Sequence, residues 1–233
     1  MNKIPERFSR TVELLGEAAR QLADKKVLII GVGGVGGHAA ENIVRAGVGN
    51  VTLIDGDRVD ISNCNRQIIA LDSTVGIPKT EVLAARCRDI NPDGSFTAIN
   101  RFISSPEEIS SLLDEGFDFV VDAIDDVPVK VELIRQLKER DIPFISSMGA
   151  GGKIDPSLIQ TADLSKTHGC PLARVMRTRL KPYHLKKIPV VFSPEVPLRS
   201  FEGKKIGSIS YIPAVFGCFC AAAAIRQLTL SKS

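Results

Sequence analysis

No run of eighteen or more apolar residues occurs in the 233-residue chain, so no membrane span is expected. The longest apolar stretch, Ile212 to Ile225, is too short to span and reads as a buried helix. The opening MNKIPERFSR is charged and lacks an apolar core, so no secretory leader is expected. Cysteine is scarce: five residues, at 64, 87, 170, 218 and 220, an odd number without the spacing of a disulfide framework. The expectation is therefore reduced thiols in a cytoplasmic protein. A strong excess of one charge is missing too. The net charge of +3 does not imply a nucleic-acid partner by itself. No internal repeat and no low-complexity linker is present.

What is there is ordinary globular composition, 44% hydrophobic and 24% charged, in a length that suits one large α/β domain with at most a modest appendage. Residues 1–23 read as a leading helical segment with Val12, Leu15, Ala18, Ala19 and Leu22 on its apolar face. Residues 26–30, 51–55, 117–122 and 143–147 are predicted strands, with a short one near Phe96. Helices are predicted over 34–46, 78–90, 106–113 and 129–140, Pro78 being placed in the first turn of its helix. This alternation predicts an α/β fold: a Rossmann-like, doubly wound, mostly parallel sheet with an N-terminal helical segment and a smaller C-terminal extension. Residues 1–152 form the Rossmann-like domain. Residues 153–233, with shorter strands, one basic helix and a tail helix over 213–228, form the extension packed on it.

The run Gly31-Val-Gly33-Gly34-Val-Gly36-Gly37 follows a strand and opens a helix. Glycines there let backbone N–H groups approach phosphates, and the helix N-terminus favours negative charge. Asp55 ends the second strand, where a carboxylate can accept from ribose hydroxyls. NAD and ATP share this geometry, so the loop does not choose between them. The choice rests on Asp57, on Ser62-Asn63-Cys64-Asn65-Arg66-Gln67, on Lys79 and on Asp122-Ala-Ile-Asp125-Asp126. Carboxylate attack on an α-phosphate builds charge that Arg and Lys stabilise, and an acid near the phosphates can hold a magnesium ion that shares the load. Singly, Arg66 or Lys79 reads equally well as a solvated surface charge. Hydride-transfer chemistry has little use for the set.

These residues carry a resemblance. Arg7-Phe8-Ser9-Arg10, the glycines from 31 to 36, Asp55-Gly56-Asp57, Asn63, Arg66-Gln67, Gly76-Ile-Pro78-Lys79, Ile90-Asn91-Pro92 and Asp122 to Asp126 resemble the ubiquitin-activating-enzyme-like adenylyltransferases, the family of the ThiF, MoeB and HesA proteins. The resemblance implies an adenylation domain over 1–152. It implies that Gly31, Gly33, Gly34 and Gly36 approach the phosphates of ATP and that Asp55, with Asp57 beside it, binds ribose. Asn63, Arg66 and Lys79 would contact phosphates, and Asp125 would lie by a Mg2+ ion held through ATP. Arg10 matches an arginine that crosses a homodimer interface into the partner's site. The catalytic set it implies is Arg66, Lys79, Asp125 and Arg10.

Many members carry two C-x-x-C pairs for structural zinc. This chain has none, and Cys218-Phe-Cys220 reads as buried thiols in an apolar helix, so no structural zinc is expected. Cys170, beside His168 and Pro171, is the one candidate for a thioester-forming nucleophile, and a loop cysteine without a base is more often inert. Those absences, with 149–156, 163–167, Pro171-Leu-Ala173, Val191-Phe-Ser193 and Phe216-Gly217, resemble the tRNA threonylcarbamoyladenosine dehydratase branch. That implies adenylation of the threonylcarbamoyl carboxylate on a tRNA adenosine, then ring closure by a neighbouring group that displaces AMP. The resemblance also leaves a cysteine desulfurase or sulfur-acceptor system as a candidate partner.

From Leu164 to Pro194 the chain has no Asp or Glu, and Arg174, Arg177 and Lys181 recur at helical spacing. Such a face can track a tRNA phosphate backbone, or it can be a solvated helix face. Three other functions remain: adenylation of a ubiquitin-like or sulfur-carrier protein, NAD-dependent redox chemistry, and a nonenzymatic tRNA or nucleotide adaptor.

Overall fold

The structure is a computed structural model that describes residues 5–198 and 206–229. The leading segment is not one helix. A three-residue turn at Glu6–Phe8 runs into α1 (Ser9–Leu15), and the chain then breaks at Gly16 before α2 (Glu17–Arg20). Gly16 has φ 62°, a left-handed conformation that ends α1 and that a Cβ would disfavour. Its expected apolar face is only partly used: Ala19 and Leu22 are buried, whereas Val12, Leu15 and Ala18 are half-buried. Residues 1–4 of that expectation lie outside the described residues.

The central unit follows the predicted alternation. β1 (Lys26–Ile30), α3 (Gly34–Ala46), β2 (Asn50–Ile54), α4 (Lys79–Ile90), β3 (Ser95–Ile99), α5 (Pro106–Leu113), β4 (Phe119–Asp122), α6 (Val127–Glu139) and β5 (Phe144–Ser147) succeed one another. Local chemistry sets the ends. Gly47, at φ 112°, closes α3 by donating its N–H to Ile43 O and Val44 O. Ser105 accepts from Glu108 N and Pro106 sits in the first turn of α5. Asp126 caps α6 by accepting from Val129 N. Pro78 is a correction: at ψ 131° it is extended and precedes α4 rather than forming its first turn.

The extension then gives β6 (Gln160–Asp163), α7 (Pro171–Leu180), β7 (Pro189–Phe192) and α8 (Tyr211–Thr229). All seven strands share one sheet in the order β3-β2-β1-β4-β5-β7-β6, parallel except for the β6–β7 pair. The extension thus supplies two strands to the sheet begun by the N-terminal half. Alternate strand residues feed two cores. Val27, Ile29, Val121 and Val191 pack under α3, α4 and α8, and Leu28, Val120 and Val190 pack under α5, α6 and α7. Both faces being covered explains the near-continuous apolar strands.

α8 is longer than the apolar run that marked it. Its 19 residues meet the length and apolarity needed to cross a membrane, and 44% of that window is buried within the protein. Gly217 lets it lie hard against α3: a Cβ there would stand 2.6 Å from Val35 O and 2.7 Å from the His38 Cβ. Cys220 is buried, whereas Cys218 is exposed and accepts from Asn42 Nδ2 on α3 at 3.8 Å, against the expectation of two buried thiols. Two residues along a helix turn about 200°, so a C-x-C pair cannot share a face.

Candidate active site

Strand register brings four positions to the sheet's C-terminal edge. Ile30 pairs with Ile54 on one side and with Asp122 on the other, and Asp122 pairs with Ser146. The loops after β1, β2, β4 and β5 therefore open on one side, beside the point where the order reverses between β1 and β4. They enclose a cavity of about 1000 Å3.

The glycine loop forms its floor, and its glycines do different things. Gly31, at φ 84°, passes so close to β4 that a Cβ would meet Ala123 O at 2.6 Å. Gly36 is absent from the cavity lining, and a Cβ there would stand 1.8 Å from Gly31 O, so a glycine is needed to seat α3 on the loop. Gly33 is open, its nearest neighbour being Gln67 Nε2 at 3.6 Å. Gly33 and Gly34 both line the cavity, and no side chain caps α3. The free N–H groups of its first turn are left for an anion.

Asp55 lines the same space with both oxygens pre-placed. Oδ2 accepts from Val32 N at 2.8 Å and Oδ1 from Asp57 N at 2.9 Å. Each oxygen keeps a lone pair for a ligand hydroxyl. Asp57 turns to Lys79, whose buried Nζ lies 2.6 Å from Asp57 Oδ2. One of the ammonium's three donors is used there, and no other described residue accepts from it. Asn63 is buried and ties its loop by accepting from Asp60 N at 3.2 Å. Arg66 donates through Nη1 to Ser62 O and Asn65 Oδ1, both at 2.9 Å, and no protein group accepts from its Nε or Nη2 among the described residues. Asp125 is exposed on the loop after β4 and lines the cavity opposite.

Gly31, Gly33, Gly34, Asp55, Asp57, Asn63, Arg66, Lys79 and Asp125 thus surround one space. Arg10 is exposed on α1 and lies outside that lining. Arg174, Arg177 and Lys181 lie outside it too. Arg174 and Arg177 border a separate open hollow with Cys170 and Pro182. Arg177 keeps its charge, but its Nη1 donates to Thr167 O at 2.8 Å and to Thr167 Oγ1, which ties the side chain to the 164–170 loop.

Sequence reading missed the layer beneath. Asp122 and Lys130, both fully buried, pair at 2.9 Å. Ser146 Oγ donates to Asp122 Oδ2 at 2.6 Å, and Lys130 Nζ also donates to Ile124 O at 3.0 Å. The strap carrying Asp125 is anchored from below by this network. Also missed were Arg101 to Ile103 and Met148. Phe102 lies across Gly56, where a Cβ would meet its ring at 2.5 Å. Nothing in the residue pattern of 101–103 signals a site. Gly149 to Gly151 and Leu172, which carried the resemblance to the dehydratase branch without a stated role, line the same cavity.

Cys170 is buried at the N-terminus of α7, and burial pushes the Cys87 and Cys220 thiols up to about 12. Among the described residues no three His, Cys, Asp or Glu side chains come together as a metal cage.

The chain matches the ThiF family over residues 8–232. It is 45% identical over 205 residues to the tRNA threonylcarbamoyladenosine dehydratase of Bacillus subtilis (strain 168), covering 86% of this chain and 80% of that protein. Crystal structures of the E. coli tRNA N6-threonylcarbamoyladenosine dehydratase, TcdA, superpose closely. The complex with AMP gives a TM-score of 0.91 at 38% identity, over 96% of this chain and 94% of that one. The complex with ATP gives 0.90 at 39% identity, over 96% and 93%. The resemblance read from the motifs is thereby borne out, and the chain belongs to the ThiF family, in the group of the tRNA threonylcarbamoyladenosine dehydratases.

Proposed function

We propose that the protein is an ATP-dependent tRNA threonylcarbamoyladenosine dehydratase. The observation that carries this reading is the single cavity in which the open phosphate loop, Asp55, Arg66, Lys79 and Asp125 converge. The relatives' names supply the substrate. ATP is consumed as a co-substrate. Its triphosphate lies over Gly33 and Gly34, and its ribose hydroxyls donate to Asp55, already fixed by two backbone N–H groups. The threonylcarbamoyl carboxylate of the tRNA attacks the α-phosphorus, and the bond to pyrophosphate breaks. The free Nε and Nη2 of Arg66 and the spare donors of Lys79 meet the charge that builds on the phosphoryl oxygens. A neighbouring nucleophile of the same modification then attacks the activated carbonyl. AMP departs with the carboxylate oxygen, and a ring closes with net loss of water. Proximity drives this step, so no catalytic cysteine is required.

Mg2+ fits the site as an ion held through ATP. With no protein cage among the described residues, Asp125 would share the ion with phosphate oxygens, as octahedral Mg2+ commonly does. The ion would supply electrostatic neutralisation of the phosphates.

A homodimer completes the proposal, since Arg10 lies outside its own cavity and Leu14 on the same helix is 81% exposed. Residues 1–152 act as the adenylation unit and 153–233 as its extension. A cytoplasmic location is supported by the five unpaired cysteines, which suit a reducing compartment.

The test is incubation with ATP, Mg2+ and tRNA carrying the threonylcarbamoyl group, followed by mass spectrometry of the nucleosides. Loss of one water from the modified adenosine is expected, with AMP and pyrophosphate formed. ATP–pyrophosphate exchange that requires a small carrier protein and ignores tRNA would replace this reading with adenylation of that protein.

A further inference from the structure

Every charged residue that lines the cavity comes from the loops after β2, β3 and β4, or is Lys79 at the start of α4. From the end of β5 onward the lining is uncharged: Ser147 to Gly151, Leu172, Ile206, Ser208 and Pro213. The two parts meet at Gly34, where a Cβ would stand 2.9 Å from Pro213 Cβ and 3.5 Å from Arg66 O. A triphosphate and its ion need the charged part, and an uncharged wall does nothing to replace their lost hydration. A cavity that continues past its phosphate floor between neutral walls is shaped for a second reactant of lower charge.

The uncharged end is firmly framed. Gly152 N donates to Gly207 O and Leu198 N to Gly152 O, both at 2.7 Å. Lys153, 2% exposed, donates through Nζ to Ser193 O at 3.2 Å and to Glu195 O, and Glu195 Oε1 accepts from Ile154 N at 3.0 Å. Within this frame Gly149 leaves space. It is not among the glycines with positive φ, and a Cβ on it would make only ordinary contacts, with Leu172 Cβ at 3.7 Å and Cys170 Sγ at 3.8 Å. Neither backbone strain nor crowding demands a glycine there, and a larger side chain would take its room from the cavity.

Leu172 belongs to the first turn of α7 and lines the cavity, whereas Arg174, two residues on, borders the open hollow outside with Gly169 and Pro171. Two residues turn about 200° around a helix, so the first turn of α7 is a partition between the two spaces. A tRNA nucleotide that carries a threonylcarbamoyl group has its charge in the same order: phosphate at one end, a neutral base and ureido arm, and a carboxylate at the tip. We propose that the uncharged end of the cavity, between Gly149 and Leu172, is the acceptor pocket that reads the threonylcarbamoyl group. The modified nucleotide straddles α7, with its neutral arm against Leu172 and its phosphate outside at Arg174. The carboxylate tip then reaches the junction at Gly34 and Arg66. This inference rests on the dehydratase reading and adds to it where the second substrate lies.

The experiment measures binding of ATP, of tRNA carrying the threonylcarbamoyl group and of the same tRNA without it, to the whole protein, alongside a thermal melt. Wild type should bind the modified tRNA more tightly than the unmodified one. In Gly149→Val the Kd for modified tRNA should rise about tenfold or more, while the Kd for ATP and for unmodified tRNA stay at wild-type values. Gly149→Ala should shift the same Kd in the same direction by less, and its Cβ makes only ordinary contacts, so it carries the test should the valine variant fail to fold. Wild-type affinity for modified tRNA in the folded variants would overturn the assignment. Equal losses for both tRNAs would overturn it too, since they would mark a general docking surface, and so would a matching loss for ATP, which would place Gly149 against the nucleotide. Dehydration by the wild type is followed in parallel: turnover with unaffected variants would overturn only the acceptor pocket, whereas no dehydration by the wild type would overturn the dehydratase reading and this inference with it.

Discussion

Lys130 and Asp122 meet at 2.9 Å with both side chains fully buried, directly beneath the strap that carries Asp125. Each charge has the other as its ion partner, with Ser146 Oγ, Ile124 N and Ile124 O completing the set. Removing one partner strands the other in the interior. Lys130→Met should therefore cost about 3–5 kcal/mol of folding stability, measured by urea unfolding. Asp122→Asn added to Lys130→Met should recover part of the loss, because no uncompensated charge then remains. A single variant as stable as wild type would show that the pair does not hold the strap.

Arg66→Ala should leave the fold intact and lower the rate of adenylation on the order of 100-fold or more. Among the described residues the side chain is tied only to Ser62 O and Asn65 Oδ1, both within its own loop, so little structure depends on it. The check is AMP formation in single turnover alongside a thermal melt. Near-normal turnover in a folded variant would remove Arg66 from the reaction.

Much of this was legible in the chain for physical reasons. β1 and α3 match their predicted bounds because an apolar run, a glycine loop and Gly47 punctuate them without ambiguity. α5 matches because Ser105 and Pro106 mark its start. The cluster at the sheet edge was legible because glycine-rich turns and strand-end carboxylates have few other uses. Lys130 was not. It sits in Val127-Pro-Val-Lys-Val-Glu as one more charge on a helix, and only the register of Asp122 beneath it reveals a buried pair. Arg177 shared a predicted basic face, yet its bond to Thr167 depends on how the 164–170 loop folds back. Gly36 kept the phosphate-loop spacing, and its part in seating α3 was not legible, since only the 1.8 Å approach of a Cβ to Gly31 O shows it.

The five thiols should separate into two classes under native alkylation at pH 8. Cys64 and Cys218 are exposed and should react. Cys87, Cys170 and Cys220 are buried, and the first and last hold their protons up to about 12, so they should react only after unfolding. Peptide mass mapping reads the pattern. Cys170→Ser should likewise leave dehydration largely intact, and a covalent adduct trapped on Cys170 would overturn the intramolecular mechanism.

Dimerisation should be visible in sedimentation, given Leu14 at 81%, Ile61 at 60% and Leu71 at 57% exposed. If Arg10 reaches a partner's site, Arg10→Ala should lose activity despite lying outside its own cavity. Mixing Arg10→Ala with Arg66→Ala chains should then restore activity, because one hybrid site would carry both arginines. A fully active monomer would sink this arrangement.

The basic helix gives the sharpest test of tRNA docking. Arg177 is tied to Thr167 through Nη1, so replacing it would disturb the 164–170 loop as well as the surface charge. Arg174 and Lys181 are exposed, neither is in a salt bridge with a described residue, and they fall on one face of α7 and the turn that continues it. Arg174→Glu with Lys181→Glu should weaken tRNA binding, steeply at low salt, and leave ATP affinity at the wild-type value. The slope of tRNA affinity against salt should flatten by roughly one unit for each phosphate that the variant no longer neutralises. A merely solvated face predicts something else: unchanged tRNA affinity at every salt concentration. Measuring tRNA and ATP binding at two ionic strengths separates the two. Wild-type tRNA affinity in the double variant would move the docking surface away from α7.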